Sequence, residues 1–321
     1  MKRVAIVVGL AALVASALAV RAMRGDTTPA EETGPRRLVC ATEMAEVCAD
    51  LADASLDVRV EPPGDTAERL RGGGTLGADA WLAPRPWVDM VRHDARAAGR
   101  PDPLGTPSET LARTPLVIIV RSDRRAVLER ACQGRIDWTC LASRGGASWE
   151  LLGGSASWGQ VKIGLDDPAR TTSGLLALGQ MAATFSGHSP FDGRDLESVR
   201  SSLESVLGAL PAPGDRSALD TMLERADSFD LAVTLEAGSR IAIASPRASG
   251  QLELVEVEPT TSADAVLVSA AGRHAPVDDE RVRRSLTSTG WHFPDKAGPG
   301  VPDAVAGNAL VRVSQDARPA R

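Results

Sequence analysis

The chain has 321 residues, a formal net charge of −6 and 43% apolar residues, with 3% aromatics and no tyrosine. That length fits one large domain or two modest ones rather than a minimal module. The mildly acidic balance argues against nucleic acid, which wants a basic face, and excludes no small ligand.

Met1, Lys2 and Arg3 precede an apolar run from Val4 to Val20, and Ala17 and Ala19 form an A-x-A-like cleavage signal closed by Arg21 and Arg24. Residues 1–21 therefore read as a secretory signal or an uncleaved signal anchor. The run is at the short limit for a bilayer span. The body is expected outside the cytoplasm, in the cell envelope, either secreted or held to the membrane by this segment if it is uncleaved. Residues 22–36 are small, polar and proline-bearing, and read as a tether. Cys40, Cys48, Cys132 and Cys140 are expected as two disulfides in an exported chain, and four cysteines allow three connectivities. No C-x-x-C occurs and the histidines are scattered, so no metal site is expected.

The body alternates between strands and helices. Leu38–Ala41 reads as a strand, with Thr42 capping a helix to about Ala52. Leu56–Val60 is a strand and Asp65–Arg71 a short helix. Ala78–Ala83 is a strand, and Pro86 sits in the first turn of a helix to about Ala98, a favoured place for proline. Leu116–Val120 is β-branched and wholly apolar, hence a buried strand. Helices follow near Arg124–Cys132 and Trp138–Ser143. Val161–Leu165 is a strand that ends in Asp166-Asp167-Pro168. Thr171, Thr172, Ser173 and Gly174 then open a long apolar helix. The first N–H groups of a helix lack internal partners and carry positive partial charge, so this segment reads as a capped core helix or an anion seat. Helical patterns at Leu196–Leu207 and Ala218–Ala226 precede strands at Leu231–Leu235, Ile241–Ala244, Leu252–Val257 and Ala265–Val268. A last helix spans about Asp278–Ser288, and residues 296–321, rich in Gly, Pro and Ala, read as a flexible tail. This alternation implies an α/β fold with mainly parallel sheets.

The segments LVCATEMAEVC, GADAWLAPRPWVDMV, LVIIVRSD, KIGLDDPARTTSGLLAL, FDLAVTLEA and ELVEVEPTTSADAVLVSA occur in the order found in type 2 extracellular solute-binding proteins. The chain resembles that family over about residues 36–290. The nearest flavour is the molybdate-binding-like branch and the binding domains found beside von Willebrand factor A modules. The resemblance implies two lobes, each a mainly parallel sheet flanked by helices, joined by two hinge crossings. Residues 37–115 with 259–295 would form the first lobe, and 116–258 the second with its hinge segments. Pairing Cys40 with Cys48 and Cys132 with Cys140 would then keep each disulfide inside one lobe.

Carried over by position, the ligand contacts are Ala41, Thr42 and Glu43 after the first strand, Pro84 and Arg85 after the third, Arg170, Thr171, Thr172 and Ser173 on the second lobe, and Thr234 and Glu236 before the return crossing. Two facing helix N-termini would suit an oxyanion. The chain departs from the molybdate pattern, with Glu43 where small hydroxyl residues are usual. Several residues also have plain structural readings: Trp81 as core, Trp87 as cleft wall or lobe cover, Glu43 as a first-turn acid on the helix dipole.

The catalytic motifs fail. Gly72, Gly74 and Gly77 match G-x-G-x-x-G but follow a helix and precede a strand, the reverse of the dinucleotide context. No nucleophile elbow and no H-E-x-x-H occur. The expectation is a non-enzymatic binding protein without a cofactor, which captures a small molecule in an inter-lobe cleft for membrane-transporter subunits or for sensing. The rival is a structural or regulatory envelope module that keeps the fold without a ligand and acts through an envelope partner protein.

Overall fold

The computed structural model describes residues 35–317 apart from 190, 226, 247, 249 and 294–301. The signal or anchor (1–21) and residues 22–34 of the tether lie outside the described residues. Three β/α units open the body: β1 (Arg36–Ala41) and α1 (Ala45–Leu51), β2 (Leu56–Glu61) and α2 (Pro63–Arg71), β3 (Ala80–Pro84) and α3 (Arg85–Ala97). β3 lies between β1, to which it runs parallel, and β8, to which it runs antiparallel, and is buried along its whole length, as an inner strand covered on both faces should be. The long strand β4 (Ala112–Arg121) leads into α4 (Ser122–Ala131), α5 (Trp138–Arg144), β5 (Ile163–Gly164), α6 (Thr172–Ser186), α7 (Leu196–Ala209), α8 (Ala218–Glu224), β6 (Leu231–Leu235), α9 (Glu236–Ala244) and β7 (Leu252–Glu256). β8 (Ser262–Ser269), α10 (Asp279–Ser288) and α11 (Ala304–Ala317) close the chain.

The strand order is β2-β1-β3-β8-β4-β6-β5, with β7 also paired to β4. β4 belongs to both lobes: Ala112–Pro115 pairs with β8, while Leu116–Val120 pairs with β6 and Val117–Arg121 with β7. The chain returns through residues 257–261, which include a cis Glu258–Pro259 bond. The Leu116 N–H donates to the Thr261 carbonyl at 2.8 Å, so the two crossings lie side by side. Gln180 of α6 fixes the return crossing, its Nε2 donating to the carbonyls of Val257 (3.0 Å) and Pro259 (2.6 Å). Its Oε1 accepts from Trp138 Nε1 at 2.6 Å. The fold is thus the two-lobed α/β arrangement with two crossings.

Four details differ from the sequence reading. Parallel pairing holds for β2-β1-β3 and β5-β6, but β4 pairs antiparallel with β6, β7 and β8. β7 and β8 flank the return crossing and so run against β4, the outgoing one. Ile241–Ala244 is helical, not a strand: Thr114 Oγ1 accepts the Ala237 N–H at 2.9 Å, and α9 runs on from there. Thr42 does not cap α1; it opens a 3-10 turn (Thr42–Met44) with no side-chain cap bond. Within 296–321, residues 304–317 form α11, which packs on α3, α6 and α7. Its residues Ala306, Ala309, Leu310 and Val313 recur at helical spacing and are buried.

The disulfides are Cys40–Cys48, joining β1 to α1, and Cys132–Cys140, joining the end of α4 to α5. Each closes a loop with a sequence separation of 8, for which chain entropy gives about 2–3 kcal/mol.

Candidate functional site

A cavity of about 540 Å³ lies between the lobes, a volume in the usual range for small-molecule sites. From the first lobe it takes the turn after β1 (Thr42, Glu43), the start of α1 (Ala45, Glu46, Val47), Pro62, and Thr289 and Trp291 after α10. The second lobe supplies the turn before α6, the loop and first residues of α8, and the end of β6 with the start of α9. Short strand-to-helix turns expose backbone and side-chain groups at the carboxyl ends of strands, which is where α/β folds hold ligands.

The charge of this cavity is uneven. Six carboxylates line it, from Glu43, Glu46, Asp166, Asp167, Asp215 and Asp220, against two guanidiniums, Arg170 and Arg216. Both arginines are engaged elsewhere. Arg170 makes a two-pronged pair with Asp65 at 3.0 and 2.9 Å, and Arg216 pairs with Glu224.

Glu43 spans the gap between the lobes. Its Oε1 accepts the Thr172 N–H, the first N–H of α6, at 2.5 Å. Thr171 caps the same helix, its hydroxyl accepting the Gly174 N–H at 3.2 Å. Thr172 is buried, and its Oγ1 accepts from Trp87 Nε1 of the first lobe at 3.0 Å. Burial pushes the Glu43 carboxyl up from its ordinary pKa, the Asp166 charge adds to this, and the Thr172 N–H and hydroxyl oppose it. Asp166 is buried and accepts from Ser173 Oγ and from the Ala218 N–H, both at 2.6 Å. Burial raises its pKa as well, against those two bonds, and the charges of Asp220 and Asp167 raise it further.

Further contacts draw the lobes together. The Gly64 N–H donates to the Arg170 carbonyl at 3.1 Å. A Cβ on Gly64 would stand 2.0 Å from the Ala169 carbonyl oxygen, so only glycine permits this approach.

Of the residues expected from sequence, Thr42, Glu43, Arg170, Thr171, Ser173 and Thr234 line the cavity. Thr172 sits behind Glu43 and bonds to it. Ala41 and Pro84 are buried in their strands, and Trp81 is core. Arg85 turns to the Ser108 carbonyl and the Thr110 hydroxyl. Glu236 is drawn to the hinge, where its Oε1 meets Arg240 and its Oε2 meets His292 Nε2 at 2.9 Å. Reasoning from sequence missed Asp215, Ser217 and Asp220, whose only local signal is the Pro- and Gly-bearing loop before α8. Asp166 and Asp167, which close the strand before α6, also line the cavity. A second hollow, of about 840 Å³, opens among α2, α11 and the 167–170 turn, and shares Asp167 and Arg170 with the first. Among the described residues no group of three or more side chains is placed to hold a metal ion.

No protein-family model matches the sequence, and no curated protein sequence matches it. Solved structures do match in fold. The sulfate-binding protein SubI from Mycobacterium tuberculosis H37Rv aligns with a TM-score of 0.52 and 15% identity, over 86% of this chain and 90% of that one. A periplasmic thiamin binding protein aligns with a TM-score of 0.55 and 13% identity, over 90% and 98%. The periplasmic binding protein AfuA from Actinobacillus pleuropneumoniae, with fructose-6-phosphate bound, aligns with a TM-score of 0.54 and 10% identity, over 89% and 98%. The fold is therefore that of type 2 periplasmic solute-binding proteins.

Proposed function

We propose that this chain is an extracytoplasmic solute-binding protein that closes two lobes on a small ligand and presents it for transport or sensing. The observation that carries the reading is the cavity itself, walled by both lobes beside a pair of hydrogen-bonded crossings. Such an arrangement lets ligand contacts on both sides bias a hinge equilibrium. The matched solved structures include proteins named for sulfate and for thiamin, so the fold supports both anionic and cationic guests. Membrane-transporter subunits are the partners this reading entails, and no chemistry on the ligand is invoked.

Thermal melting against a panel of oxyanions (molybdate included), organic cations, sugars, sugar phosphates and amino acids tests it. A ligand at a hundredfold excess over its Kd adds about 2.7 kcal/mol, or roughly 4–5 °C in Tm for a body of this size. A panel that moves nothing would remove the reading. It would favour the second one, an envelope module held shut by its own contacts, for which the Glu43–Thr172 bond across the cleft speaks.

A further inference from the structure

We propose that Glu43 is the resident anion of the cleft and sets its charge selectivity: its carboxylate fills the seat at the start of α6 that an anionic ligand would need, so oxyanions are shut out while Glu43 is present. This deepens the solute-binding reading and rests on it. The first turn of a helix attracts anions because its N–H groups are unpaired and positively polarised. Here that role is taken from within the chain. Glu43 comes from the other lobe, 129 residues away in sequence, and accepts the Thr172 N–H at 2.5 Å. Trp87 donates to the Thr172 hydroxyl at 3.0 Å and so holds it, leaving its own proton free to face the Glu43 carboxylate. Thr42 Oγ1 lies 3.4 Å from the other carboxylate oxygen.

The charge around the seat points the same way. An incoming anion would meet Glu46 and Asp166 beside Glu43, while Arg170 and Arg216 are already committed to Asp65 and Glu224. Like charges in a partly desolvated cleft disfavour entry far more than they would in water. Removing the Glu43 carboxylate leaves the Thr172 N–H and hydroxyl facing the cavity, which is the donor set an oxyanion takes.

Isothermal titration of the full chain with inorganic sulfate, at ionic strength matched with chloride, tests this in the wild type, Glu43→Ser and Glu43→Gln. The wild type is expected to give no saturable heat up to about 10 mM sulfate. Glu43→Ser is expected to gain at least hundredfold in sulfate affinity, and Glu43→Gln at least tenfold because it loses the charge but keeps the bulk. Should Glu43→Ser fail to melt cooperatively, Glu43→Gln alone decides. Saturable sulfate binding by the wild type, or a folded variant that gains none, overturns the proposal. If the wild type binds sulfate, selectivity through Glu43 falls and solute binding stands. If the variants gain sulfate while the wild type takes nothing from the ligand panel, Glu43 stands as the resident anion of the seat, but the solute-binding reading falls and the selectivity that rests on it falls too.

Discussion

An acid whose pKa is higher in the folded chain than in the unfolded one binds its proton more tightly when folded. Glu43 is such an acid, first because burial penalises its charge. Its contribution to stability is whole below the unfolded value, about 4.3 for a glutamate, and is lost as pH rises through the folded value. The wild type should therefore gain melting temperature relative to Glu43→Gln as pH is lowered from 7 to about 4.5. The groups that face Glu43 are Thr42 on its own turn, Thr172 and Asp166 opposite, and Glu46, Asp167 and Arg170 around the cavity. Asp166 titrates with the same sign, but it is common to both proteins and largely cancels in the difference. Calorimetry at four or five pH values reads the effect, and a difference that stays flat would show Glu43 titrating as it does in a peptide. That this residue reaches across the cleft was not legible in the sequence. A first-turn acid looks like dipole compensation, and nothing local links position 43 to position 172.

At the scale of elements, the close approach of α2 to the turn before α6 depends on one missing side chain. Gly64→Ala would drive a Cβ into the Ala169 carbonyl, where the neighbour is backbone and yields only if the lobes part. The expected result is loss of the Gly64–Arg170 hydrogen bond, a larger radius of gyration by small-angle scattering, and weaker capture of any ligand that needs both lobes. An unchanged scattering curve would mean that the contact is slack. The β/α order and the N-terminus of α6 were readable because each is written within a dozen residues: hydroxyls after Asp-Asp-Pro, a proline in the first turn of α3. The pairing of the cysteines was not written in their spacing, which allows three connectivities; the local one followed from the two lobes that the family resemblance implies, and it is the one the structure shows. Two elements were not legible either. Ile-Ala-Ile-Ala at 241–244 mimics a strand by alternation. Yet β6 is already flanked by β4 and β5, and the chain turns into a helix at Glu236, where the Thr114 hydroxyl accepts the Ala237 N–H of the first turn. The segment that forms α11 hides its period behind alanine and glycine, because small residues serve both close helix packing and flexible tails.

For the whole molecule, α11 bears on the hinge by its place between the lobes. It packs on α3 of the first lobe and on α6 and α7 of the second. Asn308 Nδ2 donates to Asp94 Oδ1 of α3 at 2.7 Å, Gly307 sits against the Met90 sulfur, and Gly179 of α6 meets Pro302 just before the helix. A hinge that opens must slide or release this helix, so the expected role of α11 is a strap that limits the swing. Leu310 and Val313 are fully buried. Leu310→Ala should cost about 2–5 kcal/mol by transfer and cavity terms, which chemical denaturation reads directly. The strap role separates from plain packing in scattering. Deleting residues 302–321 should widen the ligand-free particle beyond the change in mass, whereas Leu310→Ala should lower stability with little change in size. If the deletion melts cooperatively and keeps the compact dimension, α11 is only a cover for the core, and closure rests on the contacts of Glu43, Gly64, Trp87 and Arg170 alone.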